Sequence, residues 1–192
     1  MSDVVIVVDM QQCFLEEGKP LDCGPEARRI VPKVQALLER ESQKGSAIIF
    51  TADTHATDDL EFKMWPPHCV GGTAEAEIVP EFKRWVTPNN TVHKRRYSAF
   101  FETDMAARLA RLKPGQVKVC GICTDICVMH TVADLRNRDY PTVVYEDAVA
   151  TFDPEMHRFA LRHMERVLGV ELRSVAAELA EVERPEPEPA AK

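Results

Sequence analysis

The stretch VCGICTDICVMH, Val119 to His130, puts Cys120, Cys123 and Cys127 within eight residues. Thiols spaced this way can bind a metal, form a redox couple, or supply one nucleophile beside two bystanders. Other reactive side chains stand in two further places. Asp9 closes the apolar run Val4–Val8, and Lys94 follows Thr91–His93 inside the basic run HKRR. The segments DTH, Glu61 and WPPH offer Asp53, His55, Glu61 and His68. That mixed nitrogen and oxygen set suits Zn2+, Fe2+ or Mn2+ better than Ca2+. Asp53 and His55 are two residues apart, so extended backbone points both the same way. Read alone, the four are as compatible with polar residues on a solvated loop.

These residues need elements to position them. Val4–Val8, Ala47–Phe50 (leading to Thr51-Ala52-Asp53), Thr91–His93, Val117–Ile122 and Thr142–Tyr145 are short apolar, β-branched runs that predict strands. Between them, Pro25–Lys44 repeats apolar residues at helical spacing and stops at Gly45, and Thr103–Leu112 predicts a second helix. An amphipathic helix follows the cysteine turn to about Arg138, and two helical stretches come after the last strand. A loop rich in Pro, Gly and charge spans Thr54 to about Pro80. Strands apolar on both faces, alternating with helices, predict a three-layer, doubly wound α/β fold: a mostly parallel sheet with helices on both faces. Ligands bind such sheets beyond the carboxyl ends of the strands. Asp9, Asp53, Lys94 and the cysteine turn all fall at that edge.

Placement separates the cysteines. Cys120 lies inside a strand and is a small buried hydrophobe. Cys123 sits in the turn. Cys127 falls in the first helical turn, three residues after Thr124, which is suited to N-capping. Helix N-terminal amides there would favour a thiolate and lower its pKa. A zinc site built on C-x2-C-x3-C fits poorly, because the sulfurs would spread over strand, turn and helix. Cys127 is the expected nucleophile.

Composition sets the outer bounds. The chain of 192 residues carries a formal charge of −7, with 45% hydrophobic and 29% charged residues. This predicts one domain over residues 1–183 and a disordered Pro/Glu-rich tail over 184–192. A net negative charge with no dominant basic patch argues against nucleic acid or an anionic membrane as partner; by composition alone HKRR is a solvated face. The opening MSDVVIVVDM is too short in apolar residues for a signal peptide or span, which predicts a cytoplasmic chain. Its six cysteines are then expected mostly as thiols, without a disulfide framework. Homo-oligomers are compatible with all of this.

GICTDICVMHTVADL, the VVDMQQCF opening and the KRRYSAF segment together resemble the isochorismatase-like cysteine hydrolases, from about Val4 to about Leu172. DTH…E…WPPH resembles the nicotinamidase branch of that family. The resemblance implies Asp9 as base, Lys94 as the cation between base and thiol, and Cys127 as nucleophile. It implies an oxyanion hole of the Cys123 and Cys127 backbone N–H groups, each such donor worth about 3 kcal/mol, entered through a cis Ile122–Cys123 peptide. It implies Phe14 and Trp65 sandwiching a pyridine ring, with Tyr97 and Phe100 on the same wall. It also implies one divalent ion, Zn2+ first with Fe2+ or Mn2+ as alternatives, on Asp53, His55, Glu61 and His68, open to water and the pyridine nitrogen. The expected reaction is hydrolysis of nicotinamide, and of pyrazinamide, to the acid and ammonia in NAD salvage. A metal-free relative acting on another small amide, a carbamoyl compound or an enol ether is the alternative, and a non-catalytic binding protein on the same fold the third reading. Trp85, His130, His157 and His163 are read as structural. Cys13 departs from the family, which often has Asp there, and unsettles hydrogen bonding behind the site.

Overall fold

Val4 to Val8 are all fully buried, and their side chains alternate between two separate cores. Val5 and Val7 enter one; Val4, Ile6 and Val8 enter the other. A strand buried on both faces must lie in the middle of a covered sheet. The computed structural model describes residues 2–182, and the expected disorder of 184–192 falls outside the described residues. The strands are β1 (Val4–Val8), β2 (Ala47–Asp53), β3 (Thr91–Lys94), β4 (Val117–Ile122), β5 (Thr142–Ala150) and β6 (Glu171–Arg173). They form one six-stranded sheet in the order β3-β2-β1-β4-β5-β6, with every pairing parallel. The strand order reverses between β1 and β4, the crevice where sheets of this kind bind ligands.

Helices cover both faces, as the alternation predicts. On one side lie α1 (Gln12–Leu15), α2 (Gly24–Arg29), α3 (Val31–Gln43) and α7 (Val175–Val182), contributing Phe14, Ala27, Val34, Leu37, Leu38 and Val175. On the other lie α4 (Met105–Leu112), α5 (Met129–Arg136) and α6 (Pro154–Arg166), through Met105, Leu109, Val132, Leu135 and Met164. Three details differ from the sequence reading. The expected helix 25–44 is two helices, meeting at Ile30 before Pro32, since proline cannot donate within a helix. The fifth strand runs on past Tyr145 to Ala150, and β6 has only three residues, too few for a periodic signal. Among the described residues no helix is long and apolar enough to cross a membrane.

The amino edge of the sheet is pinned by buried charge. Lys118 of β4 donates to Glu41 of α3 at 2.5 Å and pairs with Asp3 at 2.9 Å. Glu41 is fully buried and also accepts from Ser46, Lys44 and Arg40. Burial alone would raise its pKa, but these donors, Lys118 first, hold it down at about 2. The folded pKa lies below the unfolded one, so the stabilisation is fully present above about pH 4.5 and is lost as pH falls through about 2. It amounts to about 3 kcal/mol. Denaturant melts of wild type and Glu41→Gln from pH 7 to 2 should therefore converge in acid; curves that stay parallel would contradict the assignment.

The cysteines need one correction. Four are free, but Cys13 and Cys69 are joined by a disulfide with a Cα–Cα distance of 5.6 Å. Composition and compartment predict thiols, whereas bonding requires only that two backbones approach within range, which α1 and the long loop here do.

Candidate active site

Each reactive side chain sits where a strand ends. Asp9 follows β1 with φ 50°, an unusual left-handed turn for a non-glycine. Its Oδ1 accepts from the Thr51 hydroxyl at 2.6 Å, and its Oδ2 lies 2.7 Å from Lys94 Nζ. Asp53 and Lys94 are register partners at the ends of β2 and β3, and Lys94 Nζ reaches Asp53 Oδ1 at 2.5 Å. Behind β4 the Ile122–Cys123 peptide is cis, and Thr124–Val128 forms a single wide π-turn. That turn presents Cys127 Sγ 3.5 Å from Lys94 Nζ. The reactive atoms of Asp9, Asp53 and Cys127 lie within 4.8 Å of one another, all buried. Lys94 is 2% exposed, so this member of HKRR is an interior cation and not part of a solvated face.

The electrostatics differ from the sequence reading in one respect. Burial pushes the Cys127 thiol well up, and Lys94 only partly opposes it. Thr124 is also not the cap: Cys123 occupies that position without a side-chain bond, and the Thr124 hydroxyl pairs with His157 Nδ1 at 2.9 Å. Burial likewise raises the Asp9 carboxyl, against Lys94 and Thr51. Asp53 is held low, because Lys94 and His55 outweigh its burial. Burial pulls Lys94 down, but Asp53 and Asp9 hold it well above its usual range. The arrangement is a resting thiol beside a basic carboxylate and a fixed cation, which suits proton transfer from sulfur to carboxylate as attack begins. Cys120 and Cys123 do not share it. Cys120 Sγ faces the Ile6 carbonyl at 3.8 Å, and Cys123 Sγ lies 3.4 Å from Cys23 Sγ.

Next to this cluster is a metal-type donor set. Ligand atoms of Asp53, His55 and His68 also lie within 4.8 Å of one another. Asp53 Oδ2 is 3.7 Å from His55 Nε2 and 4.0 Å from His68 Nε2. Each histidine commits Nδ1 elsewhere, His55 to Asp59 at 3.1 Å and His68 to the Pro66 carbonyl at 2.8 Å, which turns both Nε2 atoms inward. Among the described residues His55 Nε2 and Glu61 Oε2 have no hydrogen-bond partner. The three residues therefore fit a divalent ion. Glu61 stands apart from the compact trio: its carboxylate is 3.6 Å from Arg96, although the residue lines the same cleft. Asp59, close to Glu61 in the sequence, accepts from His55, Arg96 and the Glu61 N–H, and these hold it at about 2 despite its burial.

The cleft over the thiol is lined by Phe14, Leu21, Trp65, Tyr97, Ile126 and Phe152 together with the reactive groups. The Trp65 indole donates to Tyr97 Oη at 3.1 Å. Phe100 is not on this wall: its ring packs in the second core beneath the Arg138 guanidinium, 4.5 Å from the ring centre. Trp85 packs on Phe82, outside the cleft, and His130 lies against the Tyr97 ring. Gln11 supplies hydrogen bonding behind the site, where Cys13 departs from the family pattern. Its side chain accepts from the Asp53 N–H at 2.7 Å and donates to the Asp53 carbonyl at 2.9 Å.

The family profile for the isochorismatase domain matches residues 3–177. The chain belongs to the isochorismatase family. Within that family of hydrolases it is 30% identical, over 90% of its length and 99% of the relative's, to the isochorismatase family protein PncA of Bacillus subtilis. The crystal structure of nicotinamidase PncA from Bacillus subtilis superposes with a TM-score of 0.84 at 32% identity, covering 91% of this chain and 100% of that one. A pyrazinamidase of Pyrococcus horikoshii, solved in complex with zinc, gives 0.81 at 31% identity, over 91% of this chain and 99% of that one. An isochorismatase-family relative from Arabidopsis thaliana, 28% identical over 86% of this chain and 89% of its own, is described as a probable inactive nicotinamidase.

Proposed function

We propose that this family member is a metal-dependent nicotinamidase that releases nicotinate and ammonia through a thioester on Cys127, acts on pyrazinamide as well, and serves NAD salvage. One observation carries the reading. A single buried carboxylate, Asp53, meets Lys94 of the Asp9–Lys94–Cys127 cluster with one oxygen and faces His55 and His68 with the other.

In this reading Cys127 gives its proton to Asp9 as the sulfur attacks the amide carbon. Lys94 holds the negative charge that passes between them. The Cys123 and Cys127 backbone N–H groups receive the oxyanion. Asp9 then returns the proton to the amide nitrogen, the C–N bond breaks, and ammonia leaves. Water adds to the thioester carbonyl, giving a proton to Asp9. The C–S bond breaks, and that proton restores the Cys127 thiol. Asp53, His55 and His68 would hold the ion, with Glu61 beside them, Zn2+ being the first choice and Fe2+ or Mn2+ alternatives. When bound, the ion supplies a Lewis-acid centre for the heterocyclic end of the substrate. Phe14 and Trp65 face the cleft as flat apolar surfaces and favour a planar ring.

The test is ammonia release by purified protein. Nicotinamide and pyrazinamide should be hydrolysed, and chelation should abolish this until metal is restored. Benzamide, which lacks the ring nitrogen, should fall by roughly a hundredfold or more in kcat/KM, and His68→Ala should shrink that gap. Equal rates on benzamide and nicotinamide, or full activity after chelation with no bound metal, would instead favour a metal-free hydrolase of another small amide.

A further inference from the structure

The cleft above Cys127 has a cavity of about 20 Å³, room for about one water molecule. A flat aromatic amide needs more, so part of the wall must yield. Phe14, Cys123 and Cys127 are each 5% exposed or less. Phe152 is 39% exposed, and its ring stacks on Trp65 with centroids 6.3 Å apart and planes 18° apart. A ring sandwiched between two others needs about 7 Å between the outer planes at an ordinary contact of about 3.5 Å per layer. At the observed spacing a substrate ring does not fit between these two rings, and the cleft lies beneath them.

Their anchors lie on opposite banks. Trp65 rides the loop that carries His55 and His68 and is tied to Tyr97. Phe152 follows β5, between two fixed neighbours. Thr151 donates to Asp125 at 2.5 Å, in the turn that carries Cys127, and Asp153 caps α6 by accepting from the Glu155 N–H at 2.7 Å. The stacked pair thus bridges the metal-type loop and the nucleophile turn across the opening.

We infer that Phe152 is a specificity-determining residue: with Trp65 it forms the roof of the cleft and limits how large a substituent an aromatic amide can carry on its outer edge. The substrate class rests on the proposed function; the roof itself does not.

Two readouts test it in wild type, Phe152→Ala and the conservative Phe152→Tyr. The first is steady-state hydrolysis of nicotinamide and of nicotinamides enlarged at ring carbon 5. Phe152→Ala should raise KM for nicotinamide several-fold with kcat nearly unchanged, the pattern of lost uniform binding. It should also raise the kcat/KM ratio of enlarged to plain substrate by about tenfold, while Phe152→Tyr stays near wild type. The second readout is labelling of Cys127, followed by peptide mass, with iodoacetamide and with the bulky N-(1-pyrenyl)maleimide. Phe152→Ala should speed the bulky reagent about tenfold relative to the small one. Unchanged ratios in both readouts, with thermal melts showing folded protein, overturn the roof. If no amide is hydrolysed by any variant, the nicotinamidase reading fails, and labelling alone decides the roof.

Discussion

Cys127→Ala should lower nicotinamide hydrolysis by about 10⁴-fold or more, to the level that binding and oxyanion contacts alone can sustain, whereas Cys120→Ala should keep near-native turnover. The contrast follows from position, since the two residues are chemically identical. Cys127 Sγ is 3.5 Å from the Lys94 ammonium, with Asp9 inside the same buried cluster. The Cys120 thiol faces the Ile6 carbonyl on β1, with neither a base nor a cation beside it, and nothing opposes the upward push of burial on it. Asp9→Asn and Lys94→Ala should each fall by several orders of magnitude in the same assay. Equal losses in the two cysteine variants, both folded, would transfer the chemistry to a feature they share.

The second large effect concerns a residue with no side chain. Gly121, near the end of β4, has φ +114°, and a Cβ there would lie 2.1 Å from the Val8 carbonyl oxygen and 2.7 Å from the Val8 nitrogen. Val8 and Gly121 are register partners, so neither backbone can withdraw without opening the β1–β4 pairing. Asp9 follows one of these residues directly, and Cys123 stands two beyond the other. Gly121→Ala should therefore cost more than about 4 kcal/mol, leaving little soluble folded protein, and whatever folds should be inactive. Soluble yield and a denaturant melt decide it; a midpoint within error of wild type would show that the sheet can absorb the methyl group.

Much of this was legible in the sequence because the fold turns linear position into spatial convergence. Once the apolar runs are read as parallel strands, Asp9, Asp53, Lys94 and the cysteine turn must share an edge, and they do. What stayed hidden depends on contacts between distant segments. Gln11 clamps the Asp53 backbone across 42 positions, Thr51 orients Asp9, and Asp59 sets the tilt of His55. None of these has a periodic or motif signal. Phe152 looks like an ordinary residue between a strand and a proline-led helix until Trp65 is seen against it. The direction of the Cys127 shift is hidden for a related reason: a helix-start position can be read from sequence, whereas the completeness of burial around the sulfur cannot.

The bond between Cys13 and Cys69 makes the intervening chain a closed ring that contains α2, α3, β2 and the first half of the histidine-bearing loop. Phe14 and His68 are the residues just inside its two ends, and their rings lie 5.7 Å apart. Leu60 and Met64, 65% and 71% exposed, are on the ring's outer circumference. A protease that cuts there severs the chain but releases no part of it: the bond keeps both pieces covalently tied beside the cleft, in addition to the β1–β4 and β2–β3 pairings that already join them.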